Sequence, residues 1–437
     1  MRIAWFTPFG TRSAIGDYSE AIVRGLSRTD DVTIFVSGAA GSEPMRESEL
    51  RCASAPVDPE PAFLESLDGF DLLVYNMGNH LENHLPIYQT AIRKPGIVIL
   101  HDLVLRDFFR RYFTLHLRTP ESYRLYLGVA HGSEAEQFGR SDEAGDDCRR
   151  LAAPLFSPAL QRALGAIVHS DYARRRVADE VSLPVRAIDF PLFGPCEITA
   201  TTRLPKRSTT DGRVRILAFG MLNANKLILD IIVAIAGSER LRTACRFDVI
   251  GQGSDDYEAT LARAIADAGL DSTVRLVGWQ NDERLRTALA AADIVVNLRN
   301  PHTGESSASL ITSLLAGVAT VVWDHGSYSE VPDDAVVKIR SSDEIAGTLE
   351  RLVGDECERI AYGERARLHA LARFDTRLYC EKFREFARDV LRRKPVLELA
   401  DTAAQVLAEM GASHEIDDLA MRIGKIVAEF EPASALG

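Results

Sequence analysis

The chain has 437 residues, 46% of them apolar and 26% charged, which is too long for one compact domain and ordinary for a globular protein of two. A formal charge of −12 excludes a general nucleic-acid binder, because that role needs an extended basic surface. The start, Met1-Arg2-Ile3-Ala4-Trp5-Phe6, carries no secretory pattern and no window reaches about 18 uncharged apolar residues, so a cytoplasmic protein without a spanning helix is expected.

Short apolar runs alternate with amphipathic helical stretches almost throughout. That alternation predicts an α/β chain with parallel sheets covered on both faces. Strands are predicted at 3–9, 32–36, 72–76, 97–101, 166–169 and 186–190 in the first half, and at 216–219, 247–250, 274–277, 294–298, 320–323 and 336–339 in the second. Helices are predicted at 17–27, 226–236, 257–268, 283–292 and 307–316. Residues 1–195 form the first domain, with a mostly helical insertion at 103–165. A Thr-, Ser- and Pro-rich stretch without periodicity, 196–212, is the linker, and 213–370 is the second domain. Residues 371–395 form a helix expected to cross back to the first domain. Lys394-Pro395 breaks the pattern, and 396–437 reads as a helical tail. Six cysteines (Cys52, Cys148, Cys196, Cys245, Cys357 and Cys380) lie far apart with no CxxC pair, and are expected as reduced, mostly buried thiols. Tandem doubly wound domains bind ligands at the carboxyl ends of their strands, so facing domains place the site in the cleft between them.

The first strand runs into Pro8-Phe9-Gly10-Thr11-Arg12-Ser13-Ala14-Ile15-Gly16, a glycine-bearing loop that opens a helix and suits close approach to a sugar phosphate. It is not the GxGxxG fingerprint, so a nicotinamide site has little support. Tyr75-Asn76-Met77-Gly78-Asn79 ends another strand, and His84 opens the next helix. His80 and His84 have the spacing of a metal pair, yet no third ligand cluster accompanies them and no metal is expected. His101-Asp102 ends the following strand, where a histidine either meets a ligand or packs inward. Next, Arg106-Asp107-Phe108-Phe109-Arg110-Arg111-Tyr112-Phe113, with Arg118 and Arg124 beyond, mixes arginines and aromatics on a helix. Its aromatics either pack on their own domain or, with the arginines, lie on anionic lipid and deliver a lipid-linked acceptor to the cleft.

In the second domain Phe219-Gly220-Met221-Leu222-Asn223-Ala224-Asn225-Lys226 follows a strand and opens a helix. The lysine is either a contact for an anionic phosphate or a solvated first-turn residue. Gly251-Gln252-Gly253 and Gly278-Trp279 follow two more strands, and either line a base pocket or are plain tight turns. Leu298-Arg299-Asn300-Pro301-His302-Thr303-Gly304-Glu305-Ser306-Ser307 again joins a strand end to a helix. There Glu305 can accept hydrogen bonds from sugar hydroxyls while Ser306, Ser307 and nearby amides face a diphosphate; alternatively Ser306 is a helix cap and Glu305 a carboxylate favoured by the helix dipole. The polar loop 324–334 lies on the same edge.

These segments resemble the retaining glycosyltransferases of family 4, which have the two-domain GT-B fold. The resemblance covers nearly the whole chain and is most specific across 298–338, in Gly304-Glu305-Ser306-Ser307, the small-residue helix, the Ala316-Gly317 turn and the Glu330-Val331-Pro332-Asp333-Asp334 run. It implies two facing Rossmann-like domains, the first on the acceptor side and the second binding the donor. By that resemblance Lys226 contacts the donor diphosphate, Glu305 contacts the transferred sugar, and His101 helps to orient it. Gly220, Asn225, Gly251, Gly253, Trp279, Arg299, Gly304, Ser306 and Ser307 fall on the donor side. Gly10, Arg12, Ser13, Gly16, Asn79, His84 and Asp102 fall on the acceptor and sugar rim. Two departures stand out: the family's second glutamate, which holds the ribose, is Ser313 here, and the arginine five residues before the lysine is Met221. Arg299 and Arg12 are the candidates to supply the missing phosphate charge.

The function this implies is transfer of a hexose, with retention, from a nucleotide diphosphate sugar to a saccharide or lipid-linked saccharide, in polysaccharide or glycoconjugate synthesis at the cytoplasmic face of the membrane. GDP-mannose is the first donor to consider. The nucleotide sugar is a co-substrate, and neither a cofactor nor a metal is expected. Lys226, other cations and the helix dipole at Ser306 would stabilise charge on the leaving phosphate, which itself accepts the proton of the incoming hydroxyl. Two alternatives stand beside it. One is another GT-B-like enzyme such as an epimerase or phosphorylase, although none of the seven lysines has the context of a buried pyridoxal-binding lysine. The other is a degenerate, non-catalytic partner subunit, motivated by Ser313 and Met221.

Overall fold

A computed structural model describes residues 1–9, 14–37, 50–132, 151, 153–191, 212–302, 304 and 306–409. Among them the first domain carries a seven-stranded sheet of β1 (Arg2–Thr7), β2 (Asp31–Val36), β3 (Cys52–Ser54), β4 (Leu72–Met77), β5 (Gly96–Leu100), β6 (Ala163–Val168) and β7 (Val185–Ala187). Its spatial order is β3-β2-β1-β4-β5-β6-β7, every pairing parallel. The second domain has β8 (Val214–Phe219), β9 (Cys245–Ile250), β10 (Val274–Gly278), β11 (Ile294–Asn297), β12 (Ala319–Trp323) and β13 (Val337–Ile339) in the order β10-β9-β8-β11-β12-β13, again all parallel. Both sheets reverse their winding beside the first strand, between β1 and β4 and between β8 and β11, which is where doubly wound sheets open a crevice for ligands. Continuous apolar runs such as Leu72–Met77 and Ala319–Trp323 are buried along their whole length, as strands covered on both faces must be. The short β3 escapes sequence reading because Cys52-Ala53-Ser54 has neither length nor alternation.

Helices α1 (Ala14–Leu26), α2 (Pro61–Ser66), α3 (Leu81–Ala91), α4 (Arg106–Arg111), α5 (Pro120–His131) and α6 (Asp171–Ala178) belong to the first domain. The second contributes α7 (Ile228–Ala236), α8 (Glu239–Ala244), α9 (Asp255–Asp267), α10 (Asp282–Ala291), α11 (Ala308–Ala316), α12 (Glu344–Gly354) and α13 (Glu356–Arg373), and α14 (Thr376–Glu409) follows. Helix α14 lies on the first domain. The Trp5 and Phe383 rings stand 5.6 Å apart, Arg384 pairs with Asp30 at 2.8 Å, and Gly165 leaves space that a Cβ would lose to Phe386 at 2.9 Å.

The predicted break at Lys394-Pro395 does not occur: Pro395 lies inside α14. Proline forfeits one backbone hydrogen bond, and good helix formers around it, Arg392, Arg393 and Leu399, keep the remainder of the ladder. Apart from Gly212, the predicted linker at 196–212 lies outside the described residues, as do 410–437 of the tail and 133–150 of the insertion. Cys52, Cys245, Cys357 and Cys380 form no disulfide, with Cys357 exposed; Cys148 and Cys196 lie outside the described residues.

The arginine-aromatic helix α4 is not a lipid-facing stripe. Phe108 and Phe109 are buried against Tyr88 at ring distances of 5.4 and 5.3 Å, and Arg106 is buried too, its Nε donating to the Tyr123 hydroxyl at 3.4 Å. Burying two phenylalanines gains more than any exposed arrangement of the same helix.

Candidate active site

At the switch point of the second sheet, the loops after β8 and β11 are tied together by Asn225. Its carbonyl accepts from Asn300 N at 2.8 Å, its Nδ2 donates to Pro301 O at 3.3 Å, and its Oδ1 accepts from Arg299 Nη1 at 3.3 Å. Lys226 sits beside this clamp. It does not open a helix: Ala224–Lys226 is a single tight turn, Leu227 takes a left-handed conformation with φ of 55°, and α7 begins only at Ile228. Nor is it solvated. The side chain is buried and its Nζ donates to Phe219 O at 2.5 Å. Burial, and after it the neighbouring Arg299 charge, pull the ammonium pKa down to about 7. A lysine so placed is poised to regain its proton when an anion arrives.

The glycines around it have a packing role. Gly220, at φ of 97°, donates its N–H to Ile250 O at 2.9 Å. A Cβ on Gly251 would overlap Gly220 O, and one on Gly253 would stand 2.7 Å from Leu222 O. Gly251 N in turn donates to Gly278 O at 3.1 Å, so these turns stack backbone on backbone. Trp279, next in the chain, is 59% exposed at the edge strand β10. Met221 is exposed, and Ser313 turns its hydroxyl onto Ser309 O within α11, so neither position offers a charge or carboxylate.

The loop before α11 meets the first domain. Gly304 has φ of 79° and a Cβ there would stand 2.6 Å from Leu103, so only glycine fits. Its N–H donates to His302 Nδ1 at 3.2 Å. The His302 ring stacks on His325 at 4.2 Å and meets Tyr172 of the first domain edge-on at 5.3 Å. The cap of α11 is Ser307 rather than Ser306: its Oγ accepts from Leu310 N at 3.1 Å, while Ser306 is half-buried. Glu305 lies outside the described residues, as do Gly10, Arg12 and Ser13.

In the first domain the rim residues turn inward. His84 is buried and its Nδ1 donates to Asn76 O at 3.1 Å, and burial lowers its pKa to about 4. His80, four residues earlier, is exposed, and among the described residues no cluster of three His, Cys, Asp or Glu could hold a metal ion. Asn79 accepts from Phe108 N at 2.9 Å in the first turn of α4, and its own N–H donates to Asp102 Oδ2 at 2.8 Å. Gly16 lets α1 pack against Pro8 O, which would stand 2.8 Å from a Cβ. His101 is buried with both ring nitrogens engaged, one with Asn76 Oδ1 at 3.0 Å and the other with His169 Nε2 at 3.2 Å. Burial, reinforced by His169 and His84, holds it well below the ordinary histidine range.

Several residues at this interface were not singled out from sequence: His169, Tyr172, Asp189, His302, His325 and the carboxylate role of Glu330. Glu330, in the second domain, accepts from the Asp171 and Tyr172 N–H groups at the start of α6, at 3.0 and 2.6 Å. Arg373 pairs with Asp189 at 2.7 Å and lies 3.7 Å from Glu330. For Glu330 the signal was the motif run it opens, without its partner; for the others it was position alone, since each follows a strand or flanks a helix start.

Residues 201–369 match the family model described as "Glycosyl transferases group 1". No protein of curated function matches the sequence. Among solved structures, Alr3699/HepE of Anabaena in complex with UDP is 15% identical with a TM-score of 0.63, covering 88% of this chain and 99% of that one. Sucrose-phosphate synthase of Thermosynechococcus elongatus is 13% identical with a TM-score of 0.63, covering 89% and 99%. WaaG, a glycosyltransferase involved in lipopolysaccharide biosynthesis, is 16% identical with a TM-score of 0.56, covering 88% and 99%. Two facing all-parallel sheets, both reversed beside their first strand and superposable over most of the chain on these structures, give this protein the GT-B fold.

Proposed function

We propose that this chain is a metal-independent glycosyltransferase that moves a hexose, with retention, from a nucleotide diphosphate sugar to a saccharide or lipid-linked saccharide. The observation that carries this reading is the buried Lys226, held on Phe219 O, beside Arg299, which Asn225 clamps, at the switch point and inside the segment that matches the glycosyltransferase family model. Burial and the adjacent arginine disfavour the lysine's proton, an incoming anion favours it, and a diphosphate is the anion a nucleotide sugar brings. The N-terminus of α11, just past Glu305, adds partial positive charge to the same edge. Together these groups would stabilise the departing nucleoside diphosphate, which takes the proton of the acceptor hydroxyl as the glycosidic bond transfers.

GDP-mannose is the donor the family resemblance brings forward. The solved structures of similar fold include complexes with UDP and with UDP-glucose, so both nucleotides belong in the test. Purified full-length chain should be stabilised against heat by one nucleotide sugar and should release its nucleoside diphosphate, with turnover persisting in EDTA. Proton NMR of the product reads retention. Binding without turnover on any acceptor would favour the non-catalytic partner subunit, and neither binding nor turnover across a nucleotide-sugar panel would overturn the reading.

Peripheral contact with anionic lipid belongs to the same proposal, through different residues from the α4 aromatics. Leu125 and Val129, one turn apart on α5, are exposed, as are Leu115 and Leu117 in the preceding turn. Exposed Arg118 and half-buried Arg124 flank them, in a chain that is otherwise acidic.

A further inference from the structure

We propose that His169 is a positioning residue for His101, and that the two rings form one proton-sharing unit in a hydrogen-bonded chain running across the carboxyl edge of the first sheet. The chain uses four successive strands. Asn76 lies on β4, His101 follows β5, His169 follows β6 and Ile188 follows β7, and the register that pairs Ile99 with Ile167 brings the two histidines side by side. From one end, Ile188 O meets His169 Nδ1 at 3.0 Å, His169 Nε2 meets His101 Nδ1 at 3.2 Å, and His101 Nε2 meets Asn76 Oδ1 at 3.0 Å. The amide orientation of Asn76 is settled by its Nδ2, which donates to Phe6 O at 2.9 Å.

The proton count decides what this chain does. Both ends, a backbone carbonyl and an amide oxygen, only accept. Three contacts therefore need three N–H groups, and two neutral imidazoles carry two. With both rings neutral, one contact sets two acceptor atoms face to face; one added proton, shared between the rings, completes all three. Burial works against that proton: His169 is buried and its pKa falls to about 4. Around the pair stand Tyr18 of α1, edge-on to both rings at 4.7 and 5.5 Å, and Tyr379 of α14, whose hydroxyl bonds that of Tyr18. Among the described residues, the other titratable or charged groups near them are His84, Asp102 held by Asn79 N, and Asp189, which is paired with Arg373 and lies 3.9 Å from Lys382. Groups coupled this tightly titrate as a pair, in macroscopic steps that belong to neither ring alone. The first proton enters at a higher pH than burial of a single histidine would allow, and the second is excluded.

The kinetic consequence rests on the glycosyltransferase reading. His101 is next but one to Leu103, which meets the Gly304 loop, and a positive ring behind that edge opposes the positive charge that develops on the transferred sugar. Transfer then requires the neutral pair, and kcat falls at acidic pH as the shared proton enters.

Histidine-labelled full-length protein tests the pairing without any assay of turnover. Long-range proton–nitrogen NMR correlations report which ring nitrogens are protonated as pH is lowered. Two histidines should change together in a single step, and in His169→Gln the remaining partner should stay neutral to lower pH. Where transfer is measured, the acid limb of kcat in His169→Gln should move down by about one pH unit or more, a shift that a merely structural loss would not produce. Two rings titrating independently, or both neutral down to acid unfolding, would overturn the pairing, and wild-type protein alone suffices for that outcome. A coupled step in a chain that transfers no sugar would leave the pairing standing and remove the glycosyltransferase reading instead.

Discussion

Lys226 and Glu305 carry the sharpest expectations at the scale of single residues. With its pKa brought to about 7, Lys226 loses its proton as pH rises through neutrality, and a bound diphosphate draws that proton back. Affinity for the nucleoside diphosphate should therefore decline by up to about tenfold per pH unit above 7, with proton uptake measurable by calorimetry in buffers of different ionisation heat. Lys226→Met should bind weakly and without that slope; an unchanged slope would place the titration elsewhere. The same shift has a stability sign. Between about 7 and the ordinary lysine range the unfolded chain holds a proton that the folded chain lacks, so stability from this group rises with pH across that window. Glu305→Ala should lower turnover on the order of 100-fold or more while nucleoside diphosphate binding survives, and near wild-type turnover would remove its role at the sugar. Lys226 was recognisable in the sequence as a charge after a strand. Its burial was not, because the turn at 224–226 and the left-handed Leu227 are set by contacts with the β11 loop rather than by local preference.

Between elements, the contact of Glu330 with α6 joins the two domains directly. A carboxylate on the first two N–H groups of a helix meets both unsatisfied donors and the positive end of the dipole. Glu330→Ala should weaken the closed arrangement by on the order of 1–3 kcal/mol, read as a larger radius of gyration by small-angle scattering and a raised donor KM. Identical scattering and KM in the variant would mean that the cleft closes without it. The Glu330-Val331-Pro332 run was legible as a motif, but its partner was not: Asp171 and Tyr172 are 159 and 158 residues away in sequence.

For the whole molecule, the proposed membrane contact falls on the exposed apolar side chains of α5 and the turn before it. On the proposed lipid contact, the exposed leucines and Val129 around α5, with Arg118 and Arg124, would be the edge that meets anionic lipid in a chain of net charge −12. Co-sedimentation with vesicles rich in phosphatidylglycerol should fall with salt and drop further in Leu125→Glu with Val129→Glu. A variant that changes both and partitions like the wild type would rule out that surface. Arg106 and Phe109 should not matter to lipid, because both are buried.

The alternation of buried strands and amphipathic helices determined the α/β class by itself, since apolar runs of this length satisfy their backbone and hide their side chains only in covered parallel sheets. It also put Lys226, Arg299, Gly304 and His101 at strand ends, where such sheets bind ligands. What the sequence could not carry was anything that depends on which strand lies beside which. The sheet order set His101 against His169 and Asn76, turned His84 and Asn79 into packing residues, and buried Lys226 beside Arg299. Solvent exposure and proton affinity come from neighbours brought by the fold across many residues of chain, so only the tertiary structure decided them.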